Sequence, residues 1–175
     1  LLGLGDLYLG PAIRLAREAG VIVSFDPNVR NILGGQETSR ATEEALASAD
    51  IITPTLEEAT AITGQADPFR AARELRARGP QLVAVTLAAE GAVLLADGEP
   101  LLCPGYEVVV VEPTGAGDCH AAATMVGFLS GWDLERIGLF ANAAGAQAVT
   151  AMGHLGPALP SLEQIEALQV RGHRL

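Results

Sequence analysis

Three short, nearly continuous apolar runs, each separated from the next by a longer run of helical period, constrain this chain more than any other feature. Gly20–Asp26 (GVIVSFD), Ala49–Thr53 (ADIIT) and Gln81–Leu87 (QLVAVTL) read as strands. A strand with one wet face alternates apolar and polar residues; these barely alternate, so both faces are expected to be covered. Helices are expected between them at about Gly10–Ala19, Glu37–Ser48, Leu56–Ile62 and Pro68–Arg78. In the first, Ile13, Leu15, Ala16 and Ala19 make a stripe at helical spacing. Parallel neighbours need a crossover, and the crossover helices cover the faces, so strand and helix in alternation specify a parallel sheet wrapped by helices.

The pattern changes near residue 90. Gly91–Leu95 and Pro100–Val110 follow one another without a helix, and Asp97-Gly98 supplies a hairpin turn, so an antiparallel edge is expected there. Beyond Gly115 the chain turns helical. Ala116–Leu129 and Leu134–Met152 are rich in alanine, and the second is apolar nearly all round, which predicts a buried helix. Ser161 with Gln164 three positions on is the start signal of a last helix. With no internal repeat and no linker, residues 1–175 are expected to form a single domain: an α/β, three-layer αβα arrangement around a mainly parallel sheet.

Composition narrows the function classes. Hydrophobic residues make up 49 % and aromatics only 4 %, so Ala, Val, Leu and Ile must fill the core. The net charge of −10 comes with no basic stripe, which argues against nucleic acid as a partner. No apolar run reaches membrane-spanning length, and no basic region precedes the first apolar residues. Cys103 and Cys119 have neither metal-ligand nor disulfide-framework spacing, and are expected to be reduced thiols of a cytoplasmic protein. Leu1-Leu2-Gly3-Leu4-Gly5 reads as the middle of a longer chain.

The segment with most chemistry is Glu112-Pro113-Thr114-Gly115-Ala116-Gly117-Asp118, placed between the β-type run Val108–Val111 and an alanine-rich helix. Gly115 and Gly117 let the backbone approach a ligand with no Cβ in the way. The first N–H groups of a helix lack intrahelical partners, and the helix dipole adds about half a positive charge there, so the segment is suited to an anion. Asp118 is odd in such a place, because a carboxylate repels phosphate. It is either a first-turn acid favoured by the dipole or a group the chemistry needs.

The string resembles the D-T-x-G-A-G-D signature of ribokinase-like (PfkB) sugar kinases, with Thr114 to Asp118 in correspondence. The resemblance implies that the amides of Gly115, Ala116 and Gly117 form the anion hole for the transferred phosphoryl group, with Thr114 at its edge. It also implies that Asp118 takes the proton from the sugar hydroxyl. Positioning and charge stabilisation are what phosphoryl transfer asks of a protein, and a positioned base adds about 10²–10⁴-fold.

Further stretches match in order. Asp26-Pro27-Asn28-Val29-Arg30 resembles the D-x-N-x-R segment of fructose- and ketogluconate-type kinases, which makes Asn28 and Arg30 substrate-binding candidates; the alternative is a turn with Arg30 in solvent. Thr53–Ala59 resembles P-N-x-x-E-A, which organises magnesium; Glu58 takes the acidic position, and Thr55, in place of Asn, is also a helix cap candidate. Thr86-Leu87-Ala88-Ala89-Glu90-Gly91 resembles the T-L-G-x-x-G loop bordering the nucleotide, with Ala88 where Gly is usual. This makes Thr86, Ala88, Glu90 and Gly91 cofactor-binding candidates. Asn142, in Ala141–Ala146, falls at the purine side of a pocket-lining helix; its alternative is a buried Asn bonded to backbone. His120 stands where Phe is usual, either as an acid or as filler of the Phe space. Glu112 stands where an Asp and nearby carbonyls hold a monovalent cation.

The resemblance covers nearly all 175 residues. It implies ATP, Mg²⁺ and a monovalent cation (K⁺) as cofactors and a ketose or keto-sugar acid as substrate. It also implies an amino-terminal half, with its lid and dimer contacts, that these residues do not include. Alone, the segment is expected to be inactive. Two other readings compete. One is a nucleotide-binding fragment or decayed kinase, suggested by Thr55, Ala88 and His120. The other is a dinucleotide-dependent oxidoreductase, which the late position and glycine spacing of Gly115-Ala116-Gly117 disfavour.

Overall fold

The computed structural model describes residues 4–28, 40–153, 156 and 159–174. Two compact units divide the chain: residues 1–85 with 95–100, and residues 86–94 with 101–175.

The first unit carries α1 (Leu4–Glu18), β1 (Ser24–Phe25), α2 (Arg40–Ser48), β2 (Ile51–Ile52), α3 (Leu56–Thr63), α4 (Pro68–Arg76) and β3 (Leu82–Thr86, ending at the boundary). β1 pairs with β2 and β2 with β3, all parallel, as the strand–helix alternation predicts. The pairing is short. Only Ser24 and Phe25 pair with β2, and Val21 and Ile22 are exposed, so the buried strand expected over Gly20–Asp26 shrinks to two residues. Leu15 also departs: it is 67 % exposed, whereas Ile13 of the same expected stripe is buried. α3 and α4 begin where side chains can cap them. Thr55 accepts from the Glu58 N–H and Asp67 from the Arg70 N–H, contacts that stabilise a helix start by about 1 kcal/mol each.

The second unit holds the hairpin β4 (Gly91–Leu95) and β5 (Leu101–Pro104), then α5 (Ala116–Leu129), α6 (Leu134–Ala148) and α7 (Leu162–Arg171). β4 and β5 are antiparallel, with Gly98 in the connection at φ 83°, as Asp97-Gly98 predicts. The strands of the first unit run in the order β1-β2-β3, and those of the second form the pair β4-β5. α6 buries Ile137, Gly138, Phe140–Gly145 and Ala148, consistent with its all-round apolar sequence. It stops at Ala148 rather than Met152, in a turn where the Thr150 N–H and hydroxyl both bond the Gln147 carbonyl; Met152 is exposed. α7 starts at the expected capping box of Ser161 and Gln164.

The expected strand Pro100–Val110 ends at Pro104, and Val108–Val111 forms no strand. Gly105 is the cause. A Cβ there would overlap the Ala89 carbonyl oxygen, so the chain is pinned against the preceding turn and leaves the sheet. Val109, Val110 and Val111 are exposed.

Candidate functional site

Every candidate phosphate or nucleotide residue lies in the second unit, and α6 connects them. At one end of the connection, Leu87–Gly91 is a tight turn: the Leu87 N–H bonds the Gly91 carbonyl (2.8 Å) and the Glu90 N–H the Leu87 carbonyl (3.1 Å). Thr86 closes β3 half-buried, while Ala88 and Glu90 are exposed. Ala88 sits at φ 53°, a left-handed conformation that glycine adopts without cost, so the Gly-to-Ala departure seen in the sequence is a strained residue here. Gly91 is required where it stands. Its φ is 105°, and a Cβ would meet the Cys103 carbonyl oxygen and the Gly105 nitrogen.

The turn is tied to β5 by the Gly105 N–H, which donates to the Glu90 carbonyl (3.1 Å). β5 is tied to α6 by Asn142. This buried side chain donates both amide hydrogens, to the Cys103 carbonyl (2.8 Å) and the Pro104 carbonyl (3.0 Å). One turn on, Gly145 lets α6 approach the start of α5: a Cβ there would stand 3.2 Å from the Ala116 carbonyl oxygen and 3.6 Å from the His120 Cβ. At the end of α6 the Val149 carbonyl accepts the N–H groups of Val111 (2.8 Å) and Glu112 (3.2 Å), which fixes the approach to the glycine loop.

In that loop the Glu112 carboxylate oxygen Oε1 accepts from the Thr114 N–H (3.0 Å) and hydroxyl (2.6 Å). Gly115 follows at φ 90°, ψ −4° as the N-cap of α5, with no side-chain cap. By contrast, the N-cap side chains of α3, α4, α6 and α7 each accept an N–H of the first turn. The Ala116 N–H makes only a long bond to the Pro113 carbonyl (3.5 Å), and no side chain takes the amides that follow, so they face outward at the positive end of a 14-residue helix. A Cβ on Gly117 would meet nothing within 4 Å, so this face of the turn is open. Asp118, the next residue, is exposed in the same turn. Open amides and an adjacent carboxylate can hold an anion and accept a proton beside it.

His120 lies one step further along α5, fully inside. Neither ring nitrogen makes a hydrogen bond. Burial pushes its imidazole down to about 4, and the polar Asn142 side chain offsets only part of that. Such a ring fills space and is not a proton donor at neutral pH. The thiols are equally inert: burial, helped by the Glu135 charge, raises Cys103 to about 11, and burial, then the Asp118 charge, raises Cys119.

The first unit carries the remaining candidates. The Glu58 carboxylate is the return arm of the α3 capping box, with Oε2 accepting from the Thr55 N–H and hydroxyl, both at 2.9 Å. Asn28 is exposed at φ 40°. Arg30 lies outside the described residues. Among the described residues no cluster of three or more His, Cys, Asp or Glu side chains forms a metal site, and no helix is long and apolar enough to cross a membrane.

Gly105, Gly145 and the Val149 carbonyl went unremarked in the sequence. Their role is a close approach or a backbone bond, and neither has a signature in residue type.

Comparisons with known proteins point the same way. The model of the pfkB family carbohydrate kinases matches residues 4–161. The protein described as "probable fructokinase-6, chloroplastic" of Arabidopsis thaliana is 36 % identical over 170 residues, covering 90 % of this chain and 44 % of that protein. The Escherichia coli protein described as "a putative Ribokinase II", solved in complex with ATP and Mg²⁺, superposes with a TM-score of 0.81 at 32 % identity, over 91 % of this chain and 52 % of that one. A 2-dehydro-3-deoxygluconokinase of Thermotoga maritima gives a TM-score of 0.80 at 26 % identity, over 94 % and 55 %. The chain spans about half the length of the curated relatives it matches. With a family match over nearly its whole length and the glycine loop at the start of α5, the chain belongs to the pfkB family of carbohydrate kinases.

Proposed function

We propose that this chain is the nucleotide-binding and catalytic portion of a kinase that moves the terminal phosphoryl group of ATP to a hydroxyl of a ketose or keto-sugar acid, of the fructose or 2-keto-3-deoxygluconate kind. The observation that carries the reading is the uncapped start of α5, open at Gly117 and followed at once by Asp118.

The amides of Gly115, Ala116 and Gly117 receive the developing charge on the transferred group. In a loose transition state that charge spreads over the equatorial oxygens, so fixed donors act more strongly there than in the ground state. Asp118 accepts the hydroxyl proton. Thr114 borders the phosphates, while Thr86, Ala88, Glu90 and Gly91 border the nucleotide. Asn142 serves the purine side indirectly, because both its amide hydrogens hold the β5 backbone in place. Asn28 and Arg30 meet the sugar. Mg²⁺, carried on the nucleotide, neutralises phosphate charge when bound. Glu58, one oxygen of which already accepts two hydrogen bonds from Thr55, is suited to it through water rather than by direct ligation. Turnover needs the remainder of a chain of the relatives' length.

Gly117→Ala tests the phosphate site. The added methyl meets no protein atom within 4 Å and improves helix propensity by up to about 1 kcal/mol, so the fold holds or gains. ATP affinity, read by calorimetry with Mg²⁺, should still fall at least about tenfold, because the methyl stands where the phosphate approaches. Unchanged affinity would remove the loop as the phosphate site. Asp118→Asn, in a chain of the relatives' full length carrying this segment, should lower kcat by about 10²–10⁴ with nucleotide affinity unchanged. Full turnover would rule Asp118 out as the base.

A further inference from the structure

We infer that Glu112 braces the phosphate loop from inside, occupying with its own hydrogen bonds the role that the resemblance gives to a bound monovalent cation, so that nucleotide binding here does not respond to K⁺. The inference rests on the reading of the Gly115–Gly117 loop as the phosphate site.

The geometry is specific. The backbone on the near side of Glu112 is already fixed, since the Val111 and Glu112 N–H groups share the Val149 carbonyl. The side chain then folds forward, and its Oε1 accepts both the Thr114 N–H at 3.0 Å and the Thr114 hydroxyl at 2.6 Å. Bonds to an ionised acceptor are about twice as strong as neutral ones. Two of them on one residue hold Thr114 at the step before Gly115 takes its positive φ. The brace therefore sets the direction in which the first amides of α5 point.

The same bonds argue against a cation on this carboxylate. A carboxylate oxygen offers two lone-pair directions, and Thr114 uses both of those on Oε1. A K⁺ ion ligated through Oε1 would have to displace hydrogen bonds that hold the loop. Among the described residues, Glu112 belongs to no group of three or more His, Cys, Asp or Glu side chains that could hold a metal. The position the resemblance links to a cation is thus committed to the protein's own chain.

Two readouts test this on the chain and on Glu112→Ala and Glu112→Gln. The first is hydrogen exchange of the Thr114 amide. The second is ADP affinity by calorimetry with Mg²⁺. Each is measured in potassium, sodium and tetramethylammonium chloride at equal ionic strength. In the unmodified chain both readouts should agree within about twofold across the salts. Glu112→Ala should exchange about tenfold faster at Thr114 and bind ADP about tenfold more weakly. Glu112→Gln, which keeps an oxygen acceptor, should recover most of both. Thr114 protection or ADP affinity at least fivefold higher in potassium than in tetramethylammonium would overturn the inference, as would Thr114 exchange unaltered in Glu112→Ala. Failure of ADP to bind in any salt would instead count against the phosphate-site reading, while the exchange data would still decide the brace.

Discussion

Replacing His120 with Phe should stabilise this protein and remove a pH dependence at the same time. His120 is 5 % exposed, and neither ring nitrogen has a hydrogen-bond partner. Each buried polar atom left unpaired costs about 1–3 kcal/mol. Phenylalanine deletes both, but its larger ring must fit beside Gly145, where packing is already close, and overpacking costs about 1–3 kcal/mol. The net expectation at pH 7.5 is a gain of about 1–2 kcal/mol, or about 2–8 °C in Tm for a chain this long. The pH term is separate and has a definite sign. The His120 imidazole is pushed from its ordinary 6.5 down to about 4 by burial. Between those values the unfolded chain binds a proton that the folded chain does not. Stability is therefore intact above the unfolded value, falls as pH drops from 6.5 towards 4, and levels off below. Between pH 7.5 and 4.5 the loss from this one group is about 2.5 kcal/mol. Urea unfolding of both proteins at pH 7.5, 5.5 and 4.5 measures it, and comparison with the variant cancels other titrating groups. A variant less stable at pH 7.5, with the same acid loss as the parent, would refute the account of His120 as an unpartnered buried filler.

Two further substitutions probe the backbone that supports the site. Ala88→Gly should raise stability by about 0.5–1 kcal/mol, since relief of left-handed strain outweighs the extra freedom glycine gives the unfolded chain; a lower thermal midpoint would refute it. Gly138→Ala places a Cβ onto the Cys103 side chain and 3.0 Å from Leu94 Cδ1, so it should destabilise by about 1–3 kcal/mol despite better helix propensity; a rise in the urea midpoint would show that α6 can move away from the hairpin.

How far the sequence reached depends on the kind of information involved. Element types came from periodicity and capping chemistry, which are local. The start of α5 at Gly115, the capping box at Ser161 and the turn at Gly98 were all legible, because each needs a particular residue type in a particular conformation. The apolar character of α6 announced a buried helix, and α6 is buried. Strand length was not legible in the same way. Val108–Val111 has the composition of a strand and is none, since a strand exists only where a partner accepts its bonds, and Gly105 turns the chain away first.

The sequence by itself determined the family, the glycine loop that opens α5 and the carboxylate beside it, because those features depend on residue identity over seven consecutive positions. Tertiary structure decided what the surrounding polar groups do. Asn142, Glu58 and Glu112 all look available for a ligand in the sequence. In three dimensions Asn142 clamps β5, Glu58 closes the cap of α3 and Glu112 braces Thr114. The reason is physical. A buried or loop-bound polar group must find partners, and which partners lie within about 3 Å is set by how distant segments pack, a quantity that no local pattern encodes.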